Sequence, residues 1–159
     1  MPGQAYSVCR VDGLRQSTRR AVALLCAHGN RKVNAEEKFR RLKPNPKRAL
    51  MVRMDYWISG GTHDGYFHGW PNDLRYKDCF VFKWKENRTN QRMYGFVCNP
   101  ADSNPRFQLC VLAIHATKTD HETDRSELDR IVELMADGDV MAAVRHSFSD
   151  GEGDGVCPN

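Results

Sequence analysis

Apolar and polar positions along the chain follow two periodicities, one suited to strands and one to helices. From Asp78 to Lys85 the order DCFVFKWK alternates, setting Phe80, Phe82 and Trp84 on one side and Val81, Lys83 and Lys85 on the other, as a half-buried strand requires. Polar residues from Glu86 to Asn90 suit a turn, and Gln91 to Cys98 resumes the alternation with Arg92, Tyr94 and Phe96 sharing a side. Asn99-Pro100 and Asn104-Pro105 punctuate a loop, and Phe107 to His115 is the most apolar run, which suits a central strand. Three sequential strands with short connections predict an antiparallel β-meander from Lys77 to His115.

The remaining segments read as helices and loops. Ser17 or Thr18 as N-cap, the apolar group Val22, Leu24 and Leu25, and a stop at Gly29-Asn30 predict a helix ending at Ala27. A second begins at Asn34, with Glu37 placed to reach back to the cap, and ends before Pro44 and Pro46. The run Ala49 to Ser59 suits either a strand or an amphipathic helix, with the balance toward helix. Gly60 to Asp73 is an aromatic loop rich in turn formers. Beyond the meander, Thr123 and Asp124 announce a helix whose Leu128, Ile131, Val132 and Met135 follow the spacing of a core-facing stripe. A last helix is expected from Asp139 to Phe148. The fold class is then α+β: N-terminal helices on a small antiparallel meander, followed by a C-terminal helix. The proline-rich stretch Lys43 to Arg48 divides a basic helical part, 1–48, from an α+β core, 49–148, and an acidic tail, 149–159, is expected to be disordered.

With 159 residues, 40% of them hydrophobic, the chain suits one domain. It has no run of about 18 apolar residues and no apolar leader behind Arg10, Arg15, Arg19 and Arg20, so a cytoplasmic location is expected. Six cysteines without a CxxC pair are expected to be buried, reduced thiols. His63 and His68 lack a third ligand, and the calcium-loop-like Asp150, Glu152, Asp154 and Gly155 lack a terminal glutamate, so neither metal nor cofactor is expected.

The net charge of +4 conceals a division. Residues 1–116 hold 20 Lys and Arg against 9 Asp and Glu, while residues 117–159 hold 4 against 11. A basic body with an acidic end points to a polyanionic ligand or an acidic partner protein. Arg19, Arg20, Lys38, Arg40, Arg41, Lys43 and Arg88 are the candidate nucleic-acid contacts. Across the Glu86 to Asn90 turn, Lys83 and Lys85 meet Arg92 and Tyr94, and His115 and Lys118 leave the third strand nearby. Cleavage of RNA at a 2′-OH needs a base, cations for the developing charge on the phosphate, and an acid for the departing oxygen, which these residue types can supply without metal.

A strand ending in basic residues (CFVFKWK), a return strand with an arginine and aromatics (QRMYGF), a hydrophobic strand, and an exit HATK into an acidic-capped helix are together similar to the RelE/HigB/Gp49-like toxin superfamily. The resemblance spans Lys77 to Met135. It implies a compact α+β ribonuclease that cuts messenger RNA on the ribosome and is neutralised by an antitoxin. It also implies that Arg92 contacts the scissile phosphate and that Lys83 or Lys85 stands for the strand lysines. Lys118 stands for the basic residue after the last strand, and His115 or Tyr94 for the acid. A non-catalytic nucleic-acid- or protein-binding module on the same fold is the alternative, with its work done by the basic N-terminal helices and the Tyr66 to Trp70 loop.

Overall fold

The computed structural model describes residues 5–101, 103–118 and 125–148. Their elements follow in the order β1 (Tyr6–Arg10), β2 (Arg20–Ala27), α1 (Ala35–Arg41), α2 (Pro44–Ile58), β3 (Phe67–Gly69), β4 (Cys79–Glu86), β5 (Thr89–Cys98), β6 (Gln108–Lys118), α3 (Arg125–Ala136) and α4 (Gly138–Phe148). The strands form one six-stranded mixed sheet in the order β1-β2-β6-β5-β4-β3. The expected meander is present: β4 pairs β5 and β5 pairs β6, all antiparallel. The sheet is larger than expected because β2 joins β6 in parallel, β1 joins β2, and the short β3 joins β4.

Both faces of the sheet are covered. Phe82, Trp84, Met93 and Leu112 pack with Phe39, Leu50, Met54 and Trp57 of α1 and α2. Val81, Tyr94, Phe96 and Val111 pack with Leu128 and Ile131 of α3 and Val140 and Val144 of α4. Burial on both sides explains why β6 reads as an unbroken apolar run, whereas β4 alternates through large residues assigned to either core. No helix among the described residues is long and apolar enough to cross a membrane.

Three expectations are corrected. The segment from Ser17 to Ala27 contains a strand, β2, where a helix was expected. Its run AVALLCA has no polar position to mark a helical face, and its centre, Val22–Leu25, is buried between β1 and β6. The stretch Lys43 to Arg48 is not a linker, because Pro44 opens α2, and proline is accommodated in a first turn whose N–H has no helical partner. Residues 5–48 are therefore a strand pair, α1 and the start of α2, sharing the sheet with the rest of the chain. Among the cysteines, Cys26, Cys79, Cys98 and Cys110 are free thiols, but Cys9 is disulfide-bonded, a pairing that sequence spacing does not reveal. The Thr123 and Asp124 cap, the acidic tail and the calcium-loop-like residues lie outside the described residues.

One irregularity decides which side chains meet. Tyr94 pairs with Ile114, but the next residue, Gly95, pairs with Leu112, so Ala113 is an extra residue in β6. On its two sides the alternation of β6 changes phase: Leu109, Val111 and Ala113 face α3 and α4, and so do Ile114 and Ala116. β2 pairs only as far as Leu112, leaving the edge of β6 open beyond it. Asn34, at the start of α1, fills the gap. Its backbone N–H donates to the Ala113 carbonyl at 3.0 Å, and its side-chain oxygen accepts from the His115 N–H at 2.8 Å. Asn34 is thus committed to the sheet and makes no side-chain cap, while Glu37 pairs forward with Arg41 at 2.9 Å.

Gly95 opposes the bulge, where a Cβ would run into the Val111 carbonyl and the Leu112 Cα. Gly95→Ala is expected to destabilise the fold by about 3 kcal/mol through overpacking against backbone that has no room to shift. A urea titration followed by circular dichroism checks this; an unchanged midpoint would refute the close approach.

Candidate functional site

The β4–β5 hairpin turns at Asn87 and Arg88, both at positive φ, 47° and 66°, which suits the tight two-residue connection between Glu86 and Thr89. This register places Lys83 directly opposite Arg92, and Lys85 opposite Asn90. Val81, Lys83 and Lys85 share the face that looks toward α3 and α4, as do Arg92 and Tyr94. On β3, His68 is opposite Val81 and joins the same face.

His68, Lys83 and Arg92 form a half-buried basic group. Burial first, then the charges of Lys83 and Arg92, hold the His68 imidazole down at about 4, against a smaller opposing effect of Asp64. Burial and Arg92 likewise lower the pKa of Lys83. The Lys83 ammonium donates to the Asp64 carbonyl, its backbone N–H donates to the Tyr66 carbonyl at 2.8 Å, and the His68 ring lies 4.7 Å from that of Trp70. Neither Lys83 nor Arg92 forms an ion pair with a carboxylate among the described residues. Two cations beside a histidine kept neutral mainly by burial make a place where a bound anion relieves repulsion.

Beside this group Tyr94 is fully buried, and its hydroxyl makes no hydrogen bond of good geometry. Burial raises its pKa, while Arg92 and Lys118 oppose that rise. Lys118 also lies on this face, but under α3, where it sits 3.7 Å from Glu127 with both side chains nearly excluded from water, 8% and 12% exposed. Lys85 and Arg88 are exposed at the hairpin end.

His115 is not with them. Downstream of the bulge it points to the α1–α2 side, where its Nε2 lies 2.6 Å from the Gln91 Oε1. Thr117 donates to the same oxygen at 3.0 Å. Trp84 stacks obliquely on the His115 ring at 5.9 Å and donates to Glu86, which also pairs with Lys38 at 3.2 Å. Burial and Lys38 lower the His115 pKa to about 4, against Glu86. The expected catalytic set is therefore split, with Lys83, Lys85, Arg92, Tyr94 and Lys118 on one face and His115 on the other.

Several expected nucleic-acid contacts have internal partners: Lys38 with Glu86, Arg40 with Glu36 at 2.6 Å, and Arg41 with Glu37. Arg20 donates to the Trp57 carbonyl at 2.6 Å and to Gln108 at 3.1 Å, and lies over the Trp57 ring. Arg19, Lys43 and Arg88 are exposed. Sequence reasoning weighs His68 only as a metal ligand and as part of the Tyr66 to Trp70 loop, and misses its place beside Lys83 and Arg92. Its nearest sequence signal is the Phe67-His68-Gly69 core of the aromatic loop, which gives no periodicity in three residues. His63 stacks on Tyr66 instead of joining it, and no group of three metal-binding side chains occurs among the described residues.

Comparison with known proteins gives no match: no family model, no curated protein and no solved structure matches this chain.

The two depressed histidines set a pH dependence of stability. Each folded-state pKa, about 4, lies below the ordinary 6.5, so the unfolded chain binds protons that the folded chain refuses between those values. The contribution is fully present above about pH 6.5 and is lost as pH falls toward 4. Urea midpoints are expected to drop across this window, and His115→Gln to flatten the drop; a midpoint constant from pH 7 to 4.5 would contradict it.

Proposed function

We propose that this chain is a metal-independent endoribonuclease of the RelE/HigB kind, acting on messenger RNA at the ribosome and neutralised by an acidic antitoxin. The observation that supports the reading is the half-buried Lys83–Arg92 pair, joined by neutral His68 and making no ion pair with a carboxylate among the described residues, with Asp64 acting on Lys83 and His68 less strongly than burial and Arg92. The β4–β5–β6 meander followed by α3 supports the reading, while β1, β2 and β3 make the sheet larger than the small meander that the resemblance implies.

In this reading the Arg92 guanidinium and the Lys83 ammonium hold the non-bridging oxygens of the scissile phosphate. Burial is the main reason that His68 is neutral, and the arriving phosphate offsets the added repulsion from Lys83 and Arg92, so the proton affinity of His68 rises as substrate binds. His68 then takes the proton of the 2′-OH, and the 2′ oxygen attacks phosphorus. The bond to the 5′ oxygen breaks, that oxygen is protonated by Lys83, and the products are a 2′,3′-cyclic phosphate and a 5′-hydroxyl. Lys85 and Arg88 extend the cationic surface along the strand. Lys118 acts through its position under α3, beside Tyr94, and does not hold the phosphate.

A second reading, a non-catalytic module that binds nucleic acid, is favoured by the removal of His115 and Lys118 from the cluster. Expression and cleavage separate the two. The chain expressed alone is expected to arrest growth, and ribosome-bound messenger is expected to be cut to cyclic-phosphate ends. Arg92→Ala should lower cleavage by about a hundredfold or more, the scale for removing one donor to a developing oxyanion, and His68→Ala by a similar factor, with the fold intact by circular dichroism. Normal growth with uncut messenger would leave only the binding reading.

A further inference from the structure

At the opposite end of β6, four arginines converge on an open recess of about 480 Å³. Arg15 and Arg19 come from the β1–β2 connection, Arg20 from the start of β2, and Arg106 from the loop before β6. Arg20 and Gln108 are paired by the parallel β2–β6 register, so the recess sits where both strands begin. Ala116, the partner of Arg92, lies eight residues further along β6, roughly 26 Å away at about 3.3 Å per residue. The two basic places are therefore separate.

Positive charge dominates the recess, although the Asp55 carboxylate accepts from the Arg15 backbone N–H at 2.7 Å and Asp12 lines the neighbouring groove. The lining of the recess contains no acidic residue, and the Arg15, Arg19 and Arg106 side chains have no hydrogen-bond or ion-pair partner among the described residues. Arg20 is held rigidly by a carbonyl, an amide and an indole ring, none of which carries negative charge, and burial lowers its pKa. Fixing a guanidinium in that way orients its remaining N–H groups without neutralising it. Gln16, Ser17 and Ser59 add polar groups, and Ile58 is the single apolar residue of the lining. Within the recess a ligand is contacted through charge and hydrogen bonds, as a phosphate is, and the apolar surface lies in the neighbouring groove. That groove, of about 910 Å³, shares Arg15, Arg20 and Ile58 and is walled by Leu14 and Phe107, which gives room for a sugar and base.

We propose that this recess is a phosphate-binding site for a single-stranded RNA backbone, with the adjoining groove receiving the attached nucleoside. It requires no cleavage at the Lys83–Arg92 pair.

The test is fluorescence anisotropy of the full chain with a labelled 2′-O-methyl oligonucleotide of about 12 nucleotides, which cannot be cleaved, so the result is independent of the ribonuclease reading. Arg15→Ala with Arg106→Ala, both free side chains, should weaken binding about tenfold or more. It should also reduce the slope of log affinity against log salt by about 1.4, the value for two lost phosphate contacts on a single strand. Circular dichroism should be unchanged, and Arg19→Ala alone should give a smaller loss in the same direction. Displacement of the strand by a 5′-mononucleotide would assign the recess to a lone phosphate; resistance to it would assign the recess to the continuous backbone. Undiminished affinity in the double variant, or displacement by an acidic peptide of matched charge at the same concentration as RNA, would overturn the proposal.

Discussion

The structure depends on β6 being paired on both edges and buried on both faces. Leu109 to Ala113 are fully buried, so each backbone N–H and carbonyl there must find a partner inside the protein, because an unpaired polar group away from water costs about 1 to 3 kcal/mol. β5 supplies one edge. β2 supplies the other as far as Leu112, and Asn34 continues the pairing where β2 departs. These demands fix the position of the N-terminal strands, the entry of α1 and the separation of the two cores.

Much of this was legible in the sequence. The meander could be read because β4 and β5 carry alternating side chains at their polar ends and β6 is an unbroken apolar run, the pattern of a strand buried on both faces. The α3 stripe could be read because Leu128 and Ile131 recur at helical spacing, and Leu134 completes it while Val132 and Met135 are only partly buried. β2 could not, since a short wholly apolar run fits a buried helix as well as a buried strand, and the choice rests on a parallel partner more than eighty residues away. The proline pair misled for a related reason: proline ends a helix and also begins one.

The expected site failed in part at a single residue. Had β6 kept its alternation, His115 would share a side with Leu109 and Val111 and so lie near Arg92. The extra residue at Ala113 sends it to the other core and brings Lys118 to the side of Tyr94 instead. Nothing in the local composition announces such an insertion, because alanine fits either phase. Electrostatics then sort the histidines by company. Burial keeps both neutral, helped at His68 by Lys83 and Arg92 and at His115 by Lys38, but among the described residues only His115 of the two has a ring nitrogen within hydrogen-bond distance of a side-chain partner, Gln91.

The parallel pairing of β2 with β6 has a consequence for the order of assembly. The β4–β5–β6 meander closes through contacts between neighbours in sequence, which form fast. The β1–β2 hairpin can also form early, yet it has no seat until β6, 88 residues beyond Arg20, has emerged and joined β5. During synthesis the apolar β2 must therefore wait with its β6 edge open, and the charge of Arg10, Arg15, Arg19 and Arg20 around it opposes pairing of that edge with its copies.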